Sequence, residues 1–360
     1  MGGYTIHLYK SVPILIIPYP YLFKNIDLSD EIKDAEAADI LVIGDKMGKS
    51  LHRFIPRSIK KLSVNLKSPL KYYNWAREHE GLHRTLFKLK SLKNIPPVII
   101  YLGSNSEFYE KKLNARDHKI ISTNFLRYKN PKISTSIMAL PFLSKYLYQT
   151  PKFQIISQNI TQDKSEYSSI YKQVQIKLTY QIFEHELEEL LETVKVKETN
   201  LITLTSPIKL DLPPNKTCDN AKTDTLLKLQ KDIEKFINKG DFKIAFNRAK
   251  ELSLVSTGNA KSFYLLGIAA KSLGKFKEAK SALQKAHAYD CLPKRSNIIF
   301  NNIIRKYVKK HGIILIDFSK IVQHNFGKDY VFIDNFYPQE IFYENVLKQI
   351  DQSIQKILDI

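Results

Sequence analysis

Short apolar runs separated by longer polar stretches dominate the hydrophobic pattern of this chain. Residues 40–43 and 97–102 are continuous apolar runs, and a glycine follows each of them. Runs of this length that are rich in Ile and Val are typical of parallel strands buried on both faces of a sheet. Residues 201–204 and 313–316 repeat the pattern. These four segments predict a parallel sheet of the α/β class.

Apolar residues at helical spacing predict the helices that connect these strands. Residues 169–196 carry a stripe of Ile182, Phe183, Leu187, Leu190, Leu191 and Val194, and residues 80–93 carry Leu82, Leu86, Leu89 and Leu92. Residues 50–61, 297–310 and 340–360 are further predicted helices, whereas residues 4–9, 12–18 and 61–66 are predicted strands. Residues 114–151 show no sustained period, so we expect a loop with short helices over the sheet.

An internal repeat interrupts the α/β pattern after residue 224. Gly240, Phe242 and Ala245 recur as Gly274, Phe276 and Ala279, each 34 residues later. This period resembles that of tetratricopeptide repeats, which pair two helices in each unit. Because predicted strands lie on both sides, we expect a helical module of residues 221–291. It would be inserted into one α/β domain formed by residues 1–220 and 292–360.

Composition and charge narrow the function classes. The chain has 360 residues, 43% of them hydrophobic, and a formal charge of +20. This content is typical of a globular protein, and no apolar run is long enough to cross a bilayer as a helix. The N-terminal residues lack the pattern of a secretory signal, so the sequence predicts a cytoplasmic protein. The charge attracts acidic partners, but the lysines are spread along the chain, which favours solvated helix faces over a nucleic-acid site.

Cysteine usage gives no sign of a metal site or a disulfide framework. Cys218 and Cys291 are the only cysteines, and their spacing fits neither. We therefore expect incidental thiols, and we expect no cofactor.

Four short motifs follow predicted strands or lie near their ends. Gly44-Asp45-Lys46 comes directly after residues 40–43, and Gly103-Ser104-Asn105 directly after residues 97–102. Gly81 lies between these motifs, and Asp334-Asn335-Phe336-Tyr337-Pro338 stands near the C-terminus. Open α/β sheets bind ligands beyond the carboxyl ends of their strands. We therefore expect Lys46, Gly81, Asn105 and Asp334 to meet at one edge of the sheet.

In their order the motifs resemble the sequence blocks of the SGNH or GDSL hydrolases. The resemblance implies a three-layer, flavodoxin-like α/β fold and the hydrolysis of esters or removal of acyl groups. The family places its serine nucleophile after Gly-Asp; here Asp45 is retained and Lys46 replaces the serine. A separate glycine and a Gly-x-Asn motif supply oxyanion donors, which makes Gly81 and Asn105 oxyanion or ligand-binding candidates. The last block is Asp-x-x-His, and here Asp334 is retained while Tyr337 replaces the histidine.

The two replacements predict that ester hydrolysis is lost. Acyl transfer of this kind needs a hydroxyl nucleophile and an imidazole that takes its proton. A protonated lysine cannot attack a carbonyl, and tyrosine is a poor base at neutral pH. Ser50 and His83 are alternative candidates for nucleophile and base, although Ser50 stands one helical turn beyond Lys46. Asp45, Glu107 and Asp334 with His83 could form a metal site, but no element carries ligand spacing, so we expect none.

Three functions remain open at this stage. The first is a hydrolase-like protein without catalysis that binds a small acyl or anionic ligand in the cleft, or a protein partner through its helical repeats. The second is an active esterase or deacetylase with rearranged catalytic residues. The third is a tetratricopeptide-type interaction scaffold with a basic surface.

Overall fold

The computed structural model describes residues 28–66, 69–109, 169–217, 224–328 and 330–358. The predictions for residues 4–9, 12–18 and 114–151 lie outside these ranges. The described strands are β1 (Ile40–Gly44), β2 (Tyr72–Asn74), β3 (Val98–Leu102), β4 (Asn200–Leu204) and β5 (Ile314–Ile316). The described helices are α1 (Ser29–Glu36), α2 (Lys46–Ser50), α3 (Ile55–Leu66), α4 (Leu82–Ser91), α5 (Ser169–Val196), α6 (Asp224–Lys239), α7 (Phe242–Val255), α8 (Ala260–Ser272), α9 (Phe276–Ala288), α10 (Ile298–His311), α11 (Phe318–Gln323) and α12 (Glu340–Ile357).

The five strands form one parallel sheet in the order β2-β1-β3-β4-β5. This is the flavodoxin-like order of doubly wound α/β domains. Strands β1 and β3 are buried along their whole length, which explains why their sequences are continuous apolar runs. The prediction of a parallel α/β sheet is confirmed.

Alternate side chains of the strands pack against helices on opposite faces of the sheet. Ile40 and Val42 of β1 share a core with residues of α2, α3 and α12. Leu41 and Ile43 of the same strand share a second core with residues of α4, α5 and α10. Successive side chains of a strand point to opposite faces, so the alternation produces three layers, with the sheet in the middle.

Helices α6 to α9 follow β4 in the sequence, and α10 then leads to β5. Small side chains line the contacts among α6 to α9, and Ala245, Ala249, Ala269 and Ala279 are fully buried. Gly267 of α8 faces α9, where an added Cβ would lie 2.5 Å from the Cγ of Leu283. The helical character predicted for this part of the chain is confirmed. An isolated antiparallel bridge joins Thr217 to Asp290 beside it.

Two local predictions are corrected by the structure. Residues 61–66, predicted as a strand, belong to α3, because Ile55, Ile59 and Leu62 keep a helical period and share the same core. Strand β2 does not appear in the sequence prediction, because its three residues are half-buried and do not form an apolar run.

The cysteine prediction is also wrong in part. Cys291 is disulfide-bonded and is not an incidental thiol. The only other cysteine in the sequence, Cys218, lies outside the described residues. Among the described helices, none combines the length and apolar character needed to cross a membrane.

Candidate functional site

The turn after β1 requires a glycine at its first position. Gly44 has a φ of +129°, a backbone region that side chains rarely adopt. A Cβ on this residue would lie 2.0 Å from the carbonyl oxygen of Leu102 in β3. The glycine therefore lets β1 and β3 stay paired to their ends, at the point where the strand order reverses. Ligand sites of doubly wound sheets form at such a point.

Asp45 joins the turn after β1 to the turn after β3. Its fully buried carboxylate accepts backbone hydrogen bonds from Met47 (2.9 Å), Asn105 and Ser106 (3.1 Å). Burial disfavours the charged form and raises the pKa of Asp45 to about 7. Hydrogen bonds from the backbone of Met47 and Asn105 lower this pKa, and the charge of Glu107 raises it further. Asp45 is thus a structural connector of the sheet edge.

Asp45→Asn should change how stability depends on pH. The folded-state pKa of about 7 exceeds the ordinary 3.8, so the folded protein binds the extra proton and wild-type stability falls as pH rises between these values. The carboxamide of the variant does not titrate. As pH rises from 3.8 to about 7, the unfolding free energy of the wild type should therefore fall by roughly 3–4 kcal/mol relative to that of the variant. Urea unfolding at several pH values measures it, and a difference that stays constant with pH would contradict the assignment.

Asn105 is tied into a buried polar network. Its side-chain amide donates to the Oγ of Ser206 (3.1 Å), and its side-chain oxygen accepts from the backbone N–H of Ser296 (3.1 Å). Ser104, which has a φ of +88°, lies 2.7 Å through its Oγ from the Oγ of Ser296. These bonds connect the turn after β3 to the segments that follow β4 and precede α10. One N–H of the amide predicted to donate to an oxyanion is therefore already used.

Gly81 begins helix α4. Its carbonyl accepts from the backbone N–H (3.2 Å) and the hydroxyl (3.1 Å) of Thr85. The next residue, Leu82, donates its N–H to the buried carboxylate of Glu107 at 2.9 Å. Gly81 therefore connects to the turn after β3 through Glu107.

The turn that carries Asp334 and Tyr337 is closed by backbone bonds. Phe332 and Pro338 form an antiparallel bridge, and the N–H of Ile333 donates to the carbonyl of Tyr337 at 2.9 Å. The carboxylate of Asp334 accepts the N–H groups of Phe336 and Tyr337, each at 2.7 Å. Asp334 thus stabilises its own turn, as aspartate commonly does. Burial raises the pKa of Tyr337, so even less of this side chain is deprotonated and able to take a proton at neutral pH.

Lys46 lies against this turn. Its Nζ lies 2.8 Å from the ring centroid of Phe336. Burial lowers the pKa of Lys46 to about 8, while Asp45, Asp334 and Glu78 oppose the shift. At pH 7 about nine-tenths of such amines are protonated. The side chain is therefore mainly a cation.

A cleft of about 1150 Å³ opens beside Lys46. Lys46, Asp334 and Tyr337 line it, so the structure brings these predicted residues together. Gly81, Asn105 and the buried Asp45 are not part of its lining. The backbone N–H of Asn105 nevertheless donates to Asp45, the neighbour of Lys46, so the turn after β3 lies beside the turn after β1. That all four residues meet at one edge of the sheet stays a prediction.

The alternative catalytic candidates are also separated. Ser50 lines the cleft, but its hydroxyl donates to the carbonyl of Met47 (2.6 Å) and lies 3.0 Å from the hydroxyl of Tyr343. His83 is buried, with its Nδ1 3.3 Å from a carboxylate oxygen of Glu186 on α5. His52 lines the cleft and stacks on Tyr72. Within the described ranges, no three His, Cys, Asp or Glu side chains form a group that could hold a metal.

Several lining residues are not foreseen from the sequence. Arg53, Asn74, Glu78 and Tyr343 come from the turn after α2, from β2 and the loop after it, and from α12. No motif marks them. The one available signal is that Arg53 follows Lys46 by two helical turns.

Comparisons with known proteins give limited information. No protein-family model matches the chain, and no curated protein matches it. A GDSL-like lipase from Bacteroides thetaiotaomicron is similar in structure, with a TM-score of 0.40, 10% identity and coverage of 91% of this chain and 95% of that chain. A “putative acylhydrolase” from Bacteroides fragilis has a TM-score of 0.39, 8% identity and coverage of 92% and 96%. At these scores neither similarity assigns an activity to this chain.

Proposed function

We propose that this protein is an SGNH/GDSL hydrolase-like protein that binds a ligand in the cleft and does not hydrolyse esters. The observation that carries the proposal is the position of Lys46. It stands directly after the β1 turn and lines the cleft, where the family resemblance expects a serine. The sheet order and the sequence of the motifs support the family; the lysine argues against its chemistry.

The other parts of an acyl-transfer site support the same conclusion. Tyr337 occupies the position of the expected histidine, and burial raises its pKa. One N–H of the Asn105 amide already donates to Ser206, which leaves at most one for a developing oxyanion. Ser50 directs its proton to the carbonyl of Met47 and not to an imidazole. A site without a hydroxyl nucleophile paired to a base loses most of the rate enhancement of such an enzyme.

The purified protein should show no steady-state turnover of p-nitrophenyl acetate near neutral pH. Any release should stop once the reactive exposed lysines are acetylated, because each of these amines forms a stable amide and is not regenerated. Lys46→Met should leave the steady-state rate at the buffer background. The measurement is p-nitrophenol release over many protein equivalents. Steady cleavage that Ser50→Ala or His52→Ala abolishes, and Lys46→Met does not, would show that the protein is an active enzyme with rearranged catalytic residues.

The helical module gives a second candidate function, that of a tetratricopeptide-like interaction scaffold. The supporting observation is a set of exposed apolar side chains on α6 and α7, namely Leu227, Leu229, Ile244, Leu254 and Val255. A contiguous exposed apolar patch marks a surface that contacts another protein, and this candidate function requires that these five side chains lie together. A pull-down from a cell lysate should recover a partner with the wild type and lose it with Leu227→Ser plus Ile244→Ser. Equal recovery by both proteins would remove this surface from consideration.

A further inference from the structure

The charged residues of the cleft are mostly cations. Lys46, Lys49, Arg53, Arg57 and Arg77 line it. Three acidic side chains, those of Glu78, Asp334 and Glu340, stand among them. The five cations outnumber the three carboxylates, so the net charge of the lining is positive. The charge available to a ligand depends on which of these groups are already paired within the protein.

Each acidic side chain in the lining has a partner within the protein. Glu78 pairs with Lys49 at 3.0 Å, and Glu340 with Arg57 at 3.8 Å. The carboxylate of Asp334 accepts two backbone N–H groups of its own turn. These groups are therefore poor sites for a cationic ligand.

The cations divide into two classes. Lys49 and Arg57 are held by the pairs just described, and Arg77 pairs with Glu31 outside the lining. In the described part of the chain, Lys46 and Arg53 form no ion pair. Lys46 has an aromatic ring beside its ammonium group, which compensates a cation much less than a carboxylate does. Two cations of the cleft thus remain available.

We propose that the ligand of the cleft is an organic anion whose phosphate or carboxylate group binds Lys46 and Arg53. This inference rests on the proposed function, because it names the class of ligand for the same cleft. The guanidinium of arginine matches the geometry of both oxyanions, and lysine adds a point charge. Partial burial of Lys46 strengthens the interaction by excluding water from one partner.

The dimensions of the cleft require more than an isolated ion. A cleft of about 1150 Å³ is of the order that holds a small organic molecule, for which roughly 300–1,000 Å³ is usual. The half-buried rings of Phe54 and Tyr337 and the amide of Asn74 also line it. The Asn74 amide donates to the carbonyl of Gly48 and accepts from the N–H of Ala76, so the rings are the groups that suit an organic body with apolar faces.

Isothermal titration of the full-length protein tests the proposal with four probes: glucose 6-phosphate, glucuronate, glucose and inorganic phosphate. At least one of the two acidic sugars should bind at least tenfold more tightly than glucose, and more tightly than inorganic phosphate. The tighter of the two identifies the acidic group. Failure of both acidic sugars to exceed glucose would overturn the proposal. Inorganic phosphate that binds as tightly as the sugar acids would show that the organic part of the ligand adds no affinity, and would overturn that part of the proposal.

Variants locate the binding. Arg53→Gln and Lys46→Met should each lower the affinity for the acidic sugar that binds more tightly by about tenfold or more, which is the usual effect of losing a charged hydrogen bond. Lys60→Gln removes the same charge from an exposed position on α3 outside the lining and should change affinity by less than about twofold. Glu78→Gln should strengthen binding, because it releases Lys49. Equal losses for Arg53→Gln and Lys60→Gln would show that only net charge is sensed and would overturn the site.

The two proposals fail in different ways. Steady ester turnover would contradict the loss of catalysis, whatever the probes bind. Absence of probe binding in a protein that also lacks turnover would overturn the anion site and leave the loss of catalysis standing. Each result therefore bears on one proposal.

Discussion

Gly44→Ala is expected to lower the free energy of unfolding by about 2–6 kcal/mol. The new Cβ would lie 2.0 Å from the carbonyl oxygen of Leu102, and the φ of +129° would be strained for alanine even in open space. The backbone term costs about 1–3 kcal/mol, and the overlap costs about another 1–3 kcal/mol because the carbonyl belongs to the central sheet. The sum, about 2–6 kcal/mol, reaches the lower end of the stability of a typical domain, about 5–15 kcal/mol. Circular dichroism during urea unfolding measures the loss.

Substitutions at two other glycines separate the cost of backbone strain from the cost of steric overlap. Gly240 has a φ of +83° and nothing within 4 Å of its added Cβ, so Gly240→Ala should show the backbone cost alone, about 1 kcal/mol. Gly258 has neither a positive φ nor a neighbour within 4 Å, so Gly258→Ala should be nearly neutral. A cost for Gly44→Ala no greater than that for Gly240→Ala would show that β1 and β3 do not approach closely at Leu102.

Lys88→Ala is expected to cost about 3–5 kcal/mol of unfolding free energy. Lys88 and Glu80 are both buried, with Nζ and Oε1 2.6 Å apart, and the ammonium also donates to the carbonyl of Trp75. Removal of the lysine leaves a buried carboxylate without its counter-charge, and burial already raises the pKa of Glu80. Urea unfolding of the variant and the wild type gives the difference directly.

The double variant Glu80→Leu with Lys88→Met is the matched test of this explanation. It removes both charges and keeps similar volumes, so it should recover most of the stability. Lys90 lies on the same helix as Lys88, and Lys90→Ala breaks only an exposed pair with Glu189, so it should cost less than about 1 kcal/mol. A double variant as unstable as Lys88→Ala would show that packing of the lysine stem, and not the unpaired charge, supports the fold.

The sheet was predictable because a strand that is buried on both faces has a continuous apolar sequence. β1 and β3 contact core residues on both sides, and only apolar side chains satisfy both. β2 lies at the edge and is half-buried, so it has no such sequence. Residues 61–66 are predicted wrongly because Leu62, Val64 and Leu66 alternate with polar residues, as in a strand, although Leu62 also continues the helical period of Ile55 and Ile59.

The candidate site was predictable in its position more than in its chemistry. The sequence alone determined that Lys46 and Asn105 follow strand ends and that a lysine and a tyrosine stand where the family resemblance expects a serine and a histidine. Only the tertiary structure decided that the Asn105 amide is used by Ser206, and that Arg53 shares the cleft with Lys46. The physical reason is that strand burial is recorded locally in the sequence, whereas a hydrogen-bond partner or a neighbouring charge is set by residues distant along the chain.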